Sequence, residues 1–81
     1  MDVQKSNNRQ DPTPFAMIEP LSLQEERILN LLVSGFSYQE IAQELWISIN
    51  TVKTHVKSVY RKLNVSRRRE ARDVVRRLNL L

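Results

Sequence analysis

The chain has 81 residues and no cysteine, which leaves room for one small domain and excludes a disulfide framework or a thiolate metal site. Apolar residues make up 41%, enough for a modest core if placed periodically, and no apolar run approaches the roughly 18 residues of a membrane span. The net charge of +4 hides an asymmetry: residues 1–45 carry three basic and seven acidic side chains (net −4), residues 46–81 ten basic and two acidic ones (net +8). The second half therefore suits a polyanionic partner, the blander alternative being a solvated basic face. The N-terminus lacks the apolar core and small-residue site of a signal peptide, so a cytoplasmic location is expected.

Residues 1–20 read as a flexible tail or linker. Pro12, Pro14 and Pro20 bar a continuous helix, and the remainder is rich in Asn, Gln and Asp. Phe15, Met17 and Ile18 are the exception and would cap the core, dock on a neighbour or simply belong to a loose arm. From Leu21 the pattern turns helical. Ser22 with Glu25 matches a capping box, with Leu21 placed for a hydrophobic staple. Ile28, Leu29 and Leu32 then recur at helical spacing, and Gly35 follows as a left-handed stop, giving a first helix over about 23–34. Ser37 with Glu40 is a second capping box, opening a helix over about 38–45 whose apolar face is Ile41, Ala42 and Leu45. Ser48 is the next N-cap, for a helix from Ile49 to Leu63 that stops near Asn64. Ser66 is read as the cap of a fourth helix, about 67–78, with Ala71, Val74, Val75 and Leu78 apolar. Four helices, short loops and no strand signal predict a compact all-α domain.

At 100° per residue, Ile49, Val52, Val56, Val59 and Leu63 of the third helix share one stripe, read as its buried side. The opposite side carries Asn50, Thr51, Thr54, Lys57, Ser58 and Arg61, with Lys53 at its margin, and no acid. Small Ala42 lets the third helix cross close over the second, with Ile41, Leu45, Ile47 and Val52 filling the angle. The turn Trp46–Ser48 has the length of a helix-turn-helix, a unit that lays the start of its second helix in the major groove. Lysine can read guanine there, and threonine methyl groups can meet those of thymine. Ser37, Ser48 and Thr51 lie at helix starts, where hydroxyls and free backbone N–H groups bind phosphate.

Residues 21–81 resemble the DNA-binding domain of LuxR-type (GerE-like) bacterial transcription regulators. The resemblance is carried by Leu21-Ser22 with Glu25, Leu29-Asn30-Leu31-Leu32, Gly35, Glu40-Ile41-Ala42, Leu45, Ile47-Ser48, Thr51-Val52-Lys53-Thr54-His55 and Lys62-Leu63-Asn64-Val65. Leu45–Leu63 is most similar to the MalT-like branch. So is the ending Arg77-Leu78-Asn79-Leu80-Leu81, which reads as a natural C-terminus. The resemblance implies a four-helix domain binding double-stranded DNA as a homodimer. It implies that Lys53, Thr54 and Lys57 face bases, that Thr51 and flanking basic positions meet phosphates, and that the fourth helix forms the dimer contact. With the residue-level reading, the expected backbone contacts are Ser37, Ser48, Asn50, Thr51, Arg61, Lys62, Arg67 and Arg68. The expected dimer contacts are Arg72, Val75, Arg76 and Asn79. One short helix reads few base pairs, so two half-sites about 34–36 Å apart would supply specificity. Pairing of the subunits only on DNA is allowed for. Two positions depart from the usual pattern: Trp46 stands where many helix-turn-helix units have glycine, although this family often has a bulky residue there, and Arg69 where a small polar residue is usual.

Trp46 is read as packing over the turn and covering the core, rather than as a docking aromatic. His55 is read as a hydrogen-bonded structural histidine rather than a pH-sensitive phosphate contact. Glu25 and Glu40 look like an acid pair, but capping explains both. One histidine without cysteine or a paired carboxylate cleft gives no catalytic constellation, so neither an enzyme nor a bound cofactor is expected. Arg67, Arg68 and Arg69 oppose the dipole at a helix start, which favours an anionic partner there over repulsion of a second subunit. Two other functions compete: a module docking RNA polymerase or a regulator, and membrane-surface attachment through the basic, aliphatic fourth helix.

Overall fold

A computed structural model of the protein describes residues 19–78. The tail expected over 1–20, including Phe15, Met17 and Ile18, lies almost wholly outside them. Four helices follow one another: α1 (Leu23–Val33), α2 (Tyr38–Leu45), α3 (Ile49–Leu63) and α4 (Arg68–Leu78). The all-α, four-helix expectation holds, with no strand among the described residues.

Local chemistry sets each boundary. At α1, the Ser22 Oγ accepts from the Glu25 N–H and the Glu25 carboxylate accepts from the Ser22 N–H, so the capping box closes in both directions. Ser37 and Glu40 do the same at α2. α1 ends in a Schellman turn: Gly35 N–H donates to the Leu32 carbonyl, Phe36 N–H to the Leu31 carbonyl, and Gly35 takes φ +97°. α3 stops on Asn64 at φ 60°, with Val65 N–H closing on the Tyr60 carbonyl. α4 corrects an expectation. Ser66 is not its N-cap; the helix starts one residue later, and the Glu70 carboxylate reaches back to accept the Ser66 N–H at 2.7 Å. Leu21 also differs from its expected staple. The position it would pair with is Glu26, so it packs instead against the cluster around Leu29.

The core has two lobes. Ile28, Leu32, Ile41, Ala42, Val52 and Val56 form one, beneath the α1–α2–α3 corner. Leu29, Val59, Leu63, Ala71, Val74 and Val75 form the other, between α1, α3 and α4. Adjacent Ile28 and Leu29 are split between them because one residue turns a helix by about 100°. α3 bridges both, and Ile41, Ala42, Leu45, Ile47 and Val52 fill the α2–α3 angle as expected. The apolar face of α4 is covered by the second lobe, which leaves little for a membrane surface. Removing a fully buried side chain such as Ile28 should cost about 2–5 kcal/mol.

Two apolar residues break the expected pattern. Ile49 is 40% exposed, so the buried stripe of α3 begins at Val52. Trp46 is 92% exposed and covers no core. It ends α2 at φ 58°, and the left-handed turn throws its side chain outward. A left-handed residue with a Cβ costs about 1–2 kcal/mol. Trp46→Gly should therefore raise stability by about 1 kcal/mol, read by thermal melting followed by circular dichroism. A loss of stability would mean that the indole packs more than its exposure indicates.

Candidate nucleic-acid interface

The helix-turn-helix is α2, the left-handed turn at Trp46, and α3. Val52 and Val59 are fully buried, and Val56 and Leu63 nearly so, which fixes the roll of α3 on the body. The roll leaves Asn50, Thr51, Lys53, Thr54, Lys57 and Arg61 exposed. Asn50 to Arg61 spans about 16 Å of helix. α3 contains no acidic residue. It alone among the four helices lacks an acid in its first turn, whereas Glu25 and Glu26, Glu40, and Glu70 sit in the first turns of the others. Its N-terminal partial positive charge is thus left for an outside anion.

The hydroxyls at that end are ordered. Ser48 Oγ accepts the Thr51 N–H at 3.0 Å and lies 2.9 Å from Thr51 Oγ1. In the Ser48–Thr51 pair one hydroxyl donates to the other, so one proton stays free to meet a phosphate. The Thr54 hydroxyl donates back to the Asn50 carbonyl at 3.1 Å. At the start of α2 the situation differs: the Ser37 N–H is already held by the Glu40 carboxylate at 2.8 Å, so an acid occupies the place where a phosphate was expected.

Three side chains expected to face DNA have other partners. Ser58 is half-buried, and its hydroxyl donates to Glu25 Oε2 at 2.7 Å, so it points to α1 and not outward. Lys62 Nζ donates to Glu25 Oε1 at 2.8 Å in a largely buried ion pair. Arg68 donates to the Phe36 carbonyl at 2.6 Å and the Leu32 carbonyl at 3.2 Å, and lies over the Tyr38 ring with 5.9 Å to its centroid. It ties the start of α4 to the α1–α2 loop by donating to the loop carbonyl of Phe36 and adding a second donor to the Leu32 carbonyl at the end of α1. Burial pushes the nearby Tyr60 phenol up, and the Tyr38 hydroxyl beside it acts in the same direction. Arg68→Ala should cost about 1.5–3 kcal/mol, the range for hydrogen bonds to a charged group. Chemical denaturation would check this; an unchanged midpoint would return Arg68 to the free surface.

Glu25 is the hub that the sequence assigned only to a cap. It is 6% exposed and accepts from Ser22 N–H, Lys62 Nζ and Ser58 Oγ at once. The Lys62 ammonium, against the opposing effect of burial, holds its carboxyl down at about 2. Lys62 and Ser58, four residues apart on α3, lie on one margin of that helix and face Glu25, the only buried acid among the described residues.

Among the other expected contacts, Arg67 and Arg69 are exposed, and Arg61 makes a 3.2 Å ion pair with Glu19 in which both partners are mostly exposed, a bond of little energy. His55 is half-buried, and no hydrogen bond of its ring occurs among the described residues, so its expected structural bond is missing. Of the expected dimer residues, Arg72 and Arg76 are exposed on α4. Val75 is buried in the domain's own second lobe because α4 inserts both valines of its Val74-Val75 pair. Asn79 lies outside the described residues.

Comparison with known proteins places this arrangement. The family model described as "Bacterial regulatory proteins, luxR family" matches residues 19–75. The HTH-type transcriptional regulator MalT of Vibrio campbellii is 39% identical over 79 residues, 98% of this chain. That of Vibrio cholerae is 39% identical over 69 residues, 85% of this chain. The chain spans about 8% of the length of these curated relatives. Among solved structures, the response regulator ChrA of a heme-sensing two-component system matches with TM-score 0.73 and 34% identity, over 94% of this chain and 36% of that one. A structure of two RcsB dimers bound to two parallel DNAs matches with TM-score 0.67 and 30% identity, over 91% and 35%.

Proposed function

The chain belongs to the luxR family of bacterial regulatory proteins, as a helix-turn-helix DNA-binding domain and not an enzyme, and we propose that it recognises a specific double-stranded DNA sequence by laying α3 in the major groove. The observation that carries the reading is the acid-free, exposed face of α3, set by a buried valine stripe on the other side. Lys53, Thr54 and Lys57 read bases. Ser48, Asn50, Thr51 and Arg61 hold the phosphates flanking them, with Arg67 adding charge at the start of α4. Lys62 and Arg68 are left out of this set because their charges are engaged within the domain. Ser37 contributes weakly, since Glu40 shares its helix start.

Homodimerisation on DNA is part of the proposal, with Arg72 and Arg76 of α4 nearest the contact; the RcsB neighbour bound to DNA as dimers supports it. Two cationic α4 faces repel in free solution, so pairing is expected on a two-half-site duplex and not off DNA. No helix among the described residues is long and apolar enough to cross a membrane. A DNA reader of this kind works in the cytoplasm, at the nucleoid.

Selection of bound duplexes from a random library tests the reading. A motif with two half-sites about 10 bp apart is expected; recovery of unrelated sequences would reduce the protein to a non-specific polycation. A second role, docking a protein such as RNA polymerase, draws on one observation: Trp46 and Ile49 form an exposed apolar edge beside α2. Trp46→Ala should then lower transcription while leaving DNA affinity intact.

A further inference from the structure

Within the proposed base-reading set, the two lysines and Thr54 differ in what they have left to offer. Thr54 is exposed, yet its hydroxyl proton is already donated to the Asn50 carbonyl one turn back. A threonine hydroxyl has one proton, so Thr54 has no donor remaining for a base acceptor such as guanine O6 or thymine O4, and its oxygen, turned back toward the Asn50 carbonyl, keeps only acceptor capacity for an amino group such as adenine N6. The bond also draws Oγ1 back against the helix, and in a helix this fixes the rotamer of a β-branched side chain. The γ-methyl group then takes a different staggered direction from the oxygen. The Ser48–Thr51 pair makes the contrast, since it keeps one proton free at the helix start.

We propose that Thr54 acts in DNA recognition through its methyl group, and that its target is the 5-methyl group of a thymine beside the bases met by Lys53 and Lys57. The inference rests on the reading of α3 as the groove helix. It gives that reading a chemical content: the half-site contains a thymine whose methyl group, not its hydrogen-bonding edge, is recognised. Thymine alone among the DNA bases carries this methyl group in the major groove. The hydroxyl of Thr54 serves the helix, orienting the methyl group.

The test uses the full chain and the duplex it selects from a random library, with each thymine replaced in turn by deoxyuridine, which removes the methyl group and nothing else. At one thymine per half-site the replacement should weaken binding about fourfold, the equivalent of one buried methyl group. Thr54→Val keeps a methyl group without the hydroxyl and should keep the preference for thymine over deoxyuridine. Thr54→Ser keeps the hydroxyl, and should lose about fourfold on the thymine duplex and become indifferent to deoxyuridine. The inference is overturned if Thr54→Ser keeps the preference for thymine over deoxyuridine and Thr54→Val loses it, or if no thymine distinguishes itself from deoxyuridine. Lys53→Ala and Lys57→Ala serve as the reference. If they lose the selected duplex while the Thr54 variants behave alike, the groove reading stands and only the methyl contact fails. If neither lysine variant changes discrimination, the groove reading itself fails. Melting temperatures of the Thr54 variants confirm that each is folded.

Discussion

Glu25→Gln should destabilise the domain by about 3–5 kcal/mol, the cost of leaving a buried charge without its partner. A domain of this size has roughly 3–9 kcal/mol in total, so the variant should be largely unfolded or close to it. Three features combine to make the effect large. The carboxylate is buried, it closes the capping box of α1, and it holds Lys62 and Ser58 of α3. Its loss would loosen α3 on α1 and so blur the face that meets DNA. The same residue sets an acid limit. A carboxyl held at about 2 in the folded state, against an ordinary value of 4.5, contributes stability that is fully present above the ordinary value. That stability, about 3 kcal/mol, is lost as the pH falls from 4.5 toward 2. The midpoint of chemical unfolding should drop across this window in the wild type and stay flatter in a folded Glu25→Leu, Lys62→Met double variant, which removes both charges together. A wild-type midpoint that does not move between pH 5 and pH 3 would contradict the role assigned to Glu25.

Lys57→Ala should cost about 1–3 kcal/mol on the selected duplex and relax the preference at one base pair, as expected of a side chain that reads a base. Lys53→Ala should behave alike at a neighbouring position. Loss of a phosphate contact such as Arg61 should instead weaken all sequences evenly and lower the salt slope by about one. The two classes separate cleanly in binding isotherms measured at several salt concentrations on selected and scrambled duplexes. Lys57→Ala weakening both duplexes equally would make Lys57 a phosphate contact. Lys62→Ala is the informative contrast. It should unfold the domain by stranding Glu25, and any weakening of DNA binding should follow the folded fraction.

The parts of this molecule legible from sequence are those governed by short-range rules. Both capping boxes, the Gly35 stop and the Ser48 cap depend on residues three or four apart, and each occurs where the spacing put it. The valine stripe of α3 follows from helical period alone, apart from Ile49 at its exposed first position. Contacts between distant residues were invisible. Ser58 and Lys62 lie 33 and 37 positions from Glu25, and Arg68 lies 36 from Leu32. A lysine on a helix margin looks the same in sequence whether it meets a phosphate or a buried acid. Charge counting therefore credited the DNA face with Lys62 and Arg68, whose charges are committed inside the domain. Trp46 misled in the opposite sense: its bulk suggested burial, but a left-handed backbone at the end of α2 turned it outward. Val75 misled because a helix packed on two neighbours buries a wider arc than one stripe.

The claim that α3 enters the groove by its exposed face is tested most directly by nuclear magnetic resonance of the isotopically labelled chain titrated with its selected duplex. The largest chemical-shift changes should fall on the amides from Asn50 to Lys57 and on the Lys53 and Lys57 side chains, with the buried partners Glu25 and Lys62 little changed. Changes concentrated on α4 or on the Trp46 edge, with Asn50 to Lys57 unmoved, would contradict it.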